Sequence, residues 1–385
     1  MLARFAFTLA LSLPFASAHA TGPNPSEALG SFFKLLSGLE GKSTDRQVKI
    51  AWYGDSAIIS DGYTGEVRSR LQQRFGNAGP GFILAAPTFE GYLRDGVRLK
   101  RQGWESQAVI AGELKSGEYG YGGVVSTSFG GATATFEATT PVGAIEVWYE
   151  AIPKGGKLQL FLDGASTPTA VETTAGEGAK VWRHVPEKPV KSVKLRAGGE
   201  GLVRVFGLVL DTASRGLQLD PIGILGIRGR RWLNADASHL TQQVGKRSPD
   251  LIVLNFGGNE RVDGGLTKAS HKSDIGKTLD ALRAGAPKAS CLLVGPIAHG
   301  EDKGKGIVLD PELAIIYEAQ REVADDKGCA FFDTLAAMGG KKALKTWRDK
   351  NWLSGDYAHL TNKGHETLGD LMADWLLGAY DAWKK

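Results

Sequence analysis

The sequence predicts an α/β protein: a doubly wound parallel sheet carrying an inserted all-β jelly roll or sandwich. Three observations carry that expectation. Gln47 to Ser69, QVKIAWYGDSAIISDGYTGEVRS, runs from an apolar strand through a sharp Gly54-Asp55-Ser56 turn into a helical pattern near Tyr63. From about Gly81 to Leu210, short runs such as AIEVWYEAI, KLQLFLDG and GLVRVFGLVL alternate apolar and polar residues between turn signals. Beyond residue 211, apolar runs again alternate with helical patterns, as parallel strands joined by crossover helices require.

Taken in order, the chain opens on a short basic n-region, Met1 to Arg4, and an apolar run from Phe5 to Ala18. Ala18-His19-Ala20 is a small-x-small cleavage site, so residues 1–20 read as a signal peptide and the mature protein as exported, periplasmic or secreted. The run is too short to be a spanning helix, so no membrane span is expected after signal removal. Pro25 to Glu40 has a helical period through Leu29, Phe32, Phe33, Leu36 and Leu39 and reads as a helix on the outside of the sheet. The first strand, the Gly54-Asp55-Ser56 turn and a helix with Val67, Leu71 and Phe75 on one face follow. The β-rich stretch comes next. The α/β pattern then resumes with DPIGILGIRG as an extended run and Arg231 to Gly245 as a helix. Asp250 to Phe256 is a buried strand by its unbroken apolar run. Lys272 to Ala284 is helical, Cys291 to Val294 a strand, Pro311 to Lys327 helical, Ala330 to Asp333 the last strand, and Thr361 to Trp383 a closing amphipathic helix. This divides the mature chain into a catalytic domain, residues 21–84 plus 211–385, and an inserted β-sandwich over residues 85–210.

The length of 385 residues and a composition 42% hydrophobic and 23% charged fit an ordinary soluble protein with a large core. The net charge of +4, with no Lys/Arg run interleaved with aromatics, speaks against a nucleic-acid partner. Cys291 and Cys329 each open a β-like run. In an oxidising compartment a bridge and two buried thiols are equally compatible with that placement. No His/Asp cluster has metal spacing, so neither a metal nor a cofactor is expected.

On its own Gly54-Asp55-Ser56 reads as a turn in which Ser56 caps a helix. Three further turns change that reading: Gly226-Ile227-Arg228-Gly229, Gly257-Gly258-Asn259-Glu260 and Asp356-Tyr357-Ala358-His359. Each lies beyond the carboxyl end of a strand or before the closing helix, where the ligand crevice of an open parallel sheet forms. A serine is a poor nucleophile without a base, His359 is the natural base, and Asp356 three residues earlier is placed to orient its imidazole. Asp55 reads as ordering the turn. Arg228 and Glu260 read as surface residues flanking the turns, His299 as a rim residue and His365 as a helix residue. The spacing around Ser56 is not that of a G-x-S-x-G elbow, which speaks against an α/β-hydrolase.

In this order Gly54-Asp55-Ser56, Gly229, Gly257-x-Asn259 and Asp356-x-x-His359 resemble the four blocks of the SGNH (GDSL-type) hydrolases. The stretch GDSAIISDGYTGEVRSRLQQRFGNAGPGF, the β-rich insertion and VRVFGLVLD before a Gly-Ile-x-Gly turn are similar to peptidoglycan O-acetylesterases with an inserted carbohydrate-binding-module-like domain. Ala57-Ile58 departs from the His-Thr-type pair of those esterases, which bears on substrate. The resemblance implies a flavodoxin-like sheet, the triad Ser56, His359 and Asp356, and an oxyanion hole from the Ser56 N–H, the Gly229 N–H and the Asn259 amide. It also implies an exported serine esterase that removes O-acetyl groups from a cell-wall polysaccharide, peptidoglycan first, without cofactor. An O-acetyltransferase acting on a glycan, or a glycan-binding protein with a vestigial triad, is the alternative. In the insertion Trp104, Tyr119, Tyr121, Trp148, Tyr149 and Trp182 are candidates for sugar stacking, with core packing the expected role of most.

Overall fold

The computed structural model describes residues 23–304 and 306–385. The expected signal peptide lies outside the described residues. Five strands form the parallel sheet in the order Gly216–Gly223, Gln47–Gly54, Leu251–Asn255, Ser290–Val294, Ala330–Phe332. Every adjacent pair is parallel. In chain order this is 2-1-3-4-5, so the direction of winding reverses at Gln47–Gly54, and a crevice opens at the carboxyl end of that strand.

The alternation of the central strand decides which layer each side chain joins. Val48, Ile50 and Trp52 point into one core with the helices Gly30–Glu40, Gly62–Phe75 and Asn362–Trp383. Ala51 and Tyr53 point into the other, with Ala237–Arg247, Lys268–Arg283 and Glu312–Lys327. The closing helix starts where Thr361 accepts a hydrogen bond from the Gly364 N–H, the N-cap arrangement that satisfies a first-turn donor. Two expected elements differ. The helix near residue 231 begins later, at Ala237, because Asp236 caps it through the His239 N–H, and Gly229–Asn234 is a 3-10 turn. The first helix is broken at Leu29 into Pro25–Ala28 and Gly30–Glu40.

The inserted chain forms two antiparallel sheets. One is ordered Gly178–His184, Ala144–Ala151, Val203–Asp211, Val124–Ser128, Glu105–Ala108, with Gly81–Ile83 also on Val203–Asp211. The other is ordered Val97–Gln102, Thr133–Val142, Val190–Gly198, Lys157–Leu162, Thr169–Val171. Their inner faces share one core, which continues without a break into Tyr53, Ile222 and Trp232 of the parallel-sheet layer. Tyr119, Tyr121, Trp148 and Tyr149 are buried in it and present no face to a sugar, whereas Trp104 and Trp182 remain partly exposed. Asp220 fastens the two parts. Its buried carboxylate accepts from the Phe82 N–H (2.8 Å), the Tyr121 hydroxyl (3.1 Å) and Arg247 Nε (2.7 Å).

Cys291 and Cys329 form a disulfide, Cα–Cα 4.7 Å, resolving the open alternative. It links strand Ser290–Val294 to the start of its neighbour Ala330–Phe332. Closing a 38-residue separation contributes about 4 kcal/mol in the chain-entropy model.

Candidate active site

The carboxyl end of Gln47–Gly54 delivers Ser56. Gly54 leaves no room for a side chain, since a Cβ there would stand 2.9 Å from the Asn255 carbonyl oxygen. Asp55 follows in extended conformation, and its Oδ1 accepts from the Ala57 N–H at 2.9 Å, capping the 3-10 turn Ser56–Ile58. The turn-ordering role read for Asp55 is therefore visible. Burial, offset in part by that N–H, pushes its carboxyl up to about 6.

Asp356 and His359 arrive on the loop before the closing helix. Asp356 Oδ1 accepts from the N–H groups of Ala358 and His359, both at 3.0 Å, which wraps the loop around the carboxylate. Asp356 Oδ2 lies 2.7 Å from His359 Nδ1, so the ring presents Nε2 to Ser56 Oγ at 3.5 Å. Partial burial of Asp356 disfavours its charge. The Ser354 hydroxyl, the His359 ring and the two N–H groups outweigh that and hold the carboxyl well below its usual range. A second tie runs through the backbone, where the Gly300 N–H donates to the Tyr357 carbonyl at 3.1 Å.

Ser56, Asn259 and His359 line one cleft of about 80 Å³, together with Asp55, Gly258, Arg261, Ile297 and His299. The volume suits a small acyl group. Asn259 donates one amide hydrogen to the Ile227 carbonyl at 3.0 Å, which leaves its second for a ligand.

Gly229 does not meet the expectation. Its N–H donates to Glu260 Oε1 at 2.8 Å, and Gly229 is not among the residues lining the cleft. The reason is Glu260, expected at the surface but only 3% exposed. Its Oε2 accepts from the Gly257 N–H at 3.0 Å, so one carboxylate ties together the turns after two strands. Burial pushes Glu260 up to about 7. A charged residue inside the Gly-rich turn GGNE was the available signal for this role. Arg228 is half-buried and paired with Asp263 at 2.7 Å. His299 is 7% exposed and belongs to the cleft wall rather than its rim. His365 does lie on the closing helix, stacked on Tyr63.

This is the fold of the SGNH hydrolases, and the chain is a carboxylic ester hydrolase. Residues 195–367, a little under half of the chain, match the model of the GDSL-like Lipase/Acylhydrolase family. The match takes in Gly229, Asn259, Asp356 and His359 and stops short of Ser56. A solved peptidoglycan O-acetylesterase is similar over 91% of this chain and 96% of its own, with a TM-score of 0.78 and 21% identity. A lipase/acylhydrolase from Enterococcus faecalis is 19% identical over 43% of this chain and 77% of its own, with a TM-score of 0.31. A family two carbohydrate esterase from Cellvibrio japonicus is 12% identical over 75% of this chain and 99% of its own, also with a TM-score of 0.31. Among curated proteins no sequence matches the chain significantly. Among the described residues no helix is long and apolar enough to cross a membrane.

Proposed function

We propose that the chain is an exported serine esterase that removes O-acetyl groups from a cell-wall polysaccharide, peptidoglycan first. The observation that carries this is the run of contacts from Asp356 through His359 to Ser56 at the mouth of a cleft with room for an acetyl group. In this reading His359 Nε2 takes the Ser56 proton as Oγ attacks the acetyl carbonyl, and returns it to the departing sugar oxygen. Water, deprotonated by the same nitrogen, then cleaves the acetyl-enzyme and frees acetate. The 3.5 Å separation is longer than a working hydrogen bond, and such contacts tighten when substrate enters. The Ser56 N–H and the free Asn259 hydrogen stabilise the oxyanion, making a two-donor hole.

The similarity to a peptidoglycan O-acetylesterase supports the choice of polymer, and the disulfide supports an oxidising compartment. The domain division at residues 85 and 210 belongs to the same proposal, with the β-sandwich holding glycan beside the cleft. Because the side chains of His359 and Asp356 are 56% and 51% exposed, a sugar hydroxyl has the same access as water, which favours acetyl transfer as a second reading.

The test is hydrolysis of p-nitrophenyl acetate by wild type and Ser56→Ala, followed by acetate release from O-acetylated peptidoglycan and from acetylated xylan. Equal rates for wild type and Ser56→Ala would sink the serine mechanism. Faster release from xylan would move the substrate away from peptidoglycan. An acetylated product formed from an added glycan acceptor would identify a transferase.

A further inference from the structure

One wall of the Ser56 cleft is built from two groups that the triad does not use. His299 is 7% exposed, and its Nδ1 lies 2.7 Å from the Ile297 carbonyl oxygen. A carbonyl only accepts, so Nδ1 carries the hydrogen, and the neutral ring presents a lone pair at Nε2. Burial, aided by the nearby charge of Arg261, pushes the imidazole down to about 4 and keeps it neutral at physiological pH. No described residue hydrogen-bonds Nε2. A Cβ at Gly258 would meet Asp55 Oδ2 at 3.0 Å, His299 Cε1 at 3.2 Å and His299 Nε2 at 3.4 Å, so the missing side chain opens the way to Nε2 past the Asp55 carboxyl.

Arg261 lines the same cleft. Its Nη1 donates to Asp310 Oδ2 at 2.7 Å, while the Asp310 N–H donates to the His299 carbonyl at 2.9 Å. Asp310 thereby holds the arginine and the histidine in one unit, and Arg261 Nη2 has no partner among the described residues. The wall offers one fixed acceptor and one fixed, positively charged donor. A carboxylate would suit Arg261 but face the Nε2 lone pair. An ammonium would suit the lone pair and the Asp55 carboxyl in the same cleft but face the guanidinium. A neutral secondary amide carries both complements, an N–H for the His299 lone pair and a carbonyl for Arg261.

We infer that His299 and Arg261 recognise the acetamido group of an N-acetylated sugar beside the ester, so that His299 determines specificity. The inference rests on the esterase reading above and names the sugar class for the same site. A sugar carrying a hydroxyl at the amide position loses the paired contacts.

The experiment compares kcat/KM on the O-acetyl esters of methyl N-acetylglucosaminide and methyl glucoside. Wild type is expected to prefer the acetamido ester about tenfold, the value of one good hydrogen bond. His299→Leu should bring that ratio close to one. His299→Gln, whose Oε1 is an acceptor, should restore most of it, which a merely structural role would not do. A wild-type ratio near one, or an unchanged ratio in His299→Leu, overturns the inference. Hydrolysis of neither ester by wild type instead overturns the sugar O-acetylesterase reading beneath it. Should His299→Leu fail to fold, nitrogen NMR of wild type decides. The His299 Nε2 signal should move on adding methyl N-acetylglucosaminide and stay with methyl glucoside; equal responses would sink the idea.

Discussion

Glu260 Oε1 accepts the Gly229 N–H at 2.8 Å, so the glycine expected to line an oxyanion hole is turned to a buried carboxylate. The second oxygen holds Gly257, and the two turns flanking Asn259 are braced by one side chain. Removing it leaves two buried backbone donors without partners, each costing about 1–3 kcal/mol. Glu260→Ala should therefore lose several kcal/mol in urea unfolding. Glu260→Gln, with one carbonyl oxygen for two donors, should fall between it and wild type. Wild-type stability in Glu260→Ala would refute this bracing role.

Asn259 carries more of the transition state when Gly229 is engaged elsewhere. Asn259→Ala removes one of the two proposed donors, and kcat should fall by about 10²–10³ with a smaller change in KM. Steady-state kinetics on p-nitrophenyl acetate read this directly. A loss confined to KM would place Asn259 in ground-state binding instead.

Buried histidines contribute to the loss of stability in acid. Burial pushes His271, His299 and His365 each down to about 4, against about 6.5 in the unfolded chain. Between those values the unfolded chain binds protons that the folded chain refuses. The stabilisation is therefore whole above pH 6.5 and is lost as pH falls towards 4. His365 tests this apart from the cleft, since its Nδ1 is buried without a partner and its ring stacks on Tyr63, 5.8 Å between centroids. His365→Phe should retain the stack and show a shallower fall in Tm from pH 6.5 to 4.5. An identical slope would contradict the assignment.

The inserted sandwich is not an independent appendage. Its removal would expose the Asp220–Arg247 pair, whose side chains are 1% and 2% exposed, and would strip Tyr121 from Tyr53, 6.0 Å between centroids. A buried ion pair opened to solvent beside uncovered aromatics leaves no closed core. A chain lacking residues 85–210 should be insoluble, or bind a hydrophobic dye and unfold without cooperativity. A soluble deletion variant with a sharp unfolding transition would show that the two parts fold separately.

What could be read from the chain alone was local and periodic. Val48, Ile50 and Trp52 against Ala51 and Tyr53 mark a strand between two layers, and period-two runs mark the sandwich. Asp356 and His359 were legible as a pair because three residues of loop suffice to bring carboxylate to imidazole, 2.7 Å apart in the fold. Their meeting with Ser56 depends on sheet order, which brings residues 303 apart in sequence to within 3.5 Å. Only the tertiary structure decided that Gly229 faces Glu260, that His299 is walled in with Arg261, and that Cys291 meets Cys329. In each case the partner is chosen by packing between distant strands and turns. Hydrophobic period states which face a residue takes; it does not state which polar atom across the crevice will satisfy its hydrogen bond.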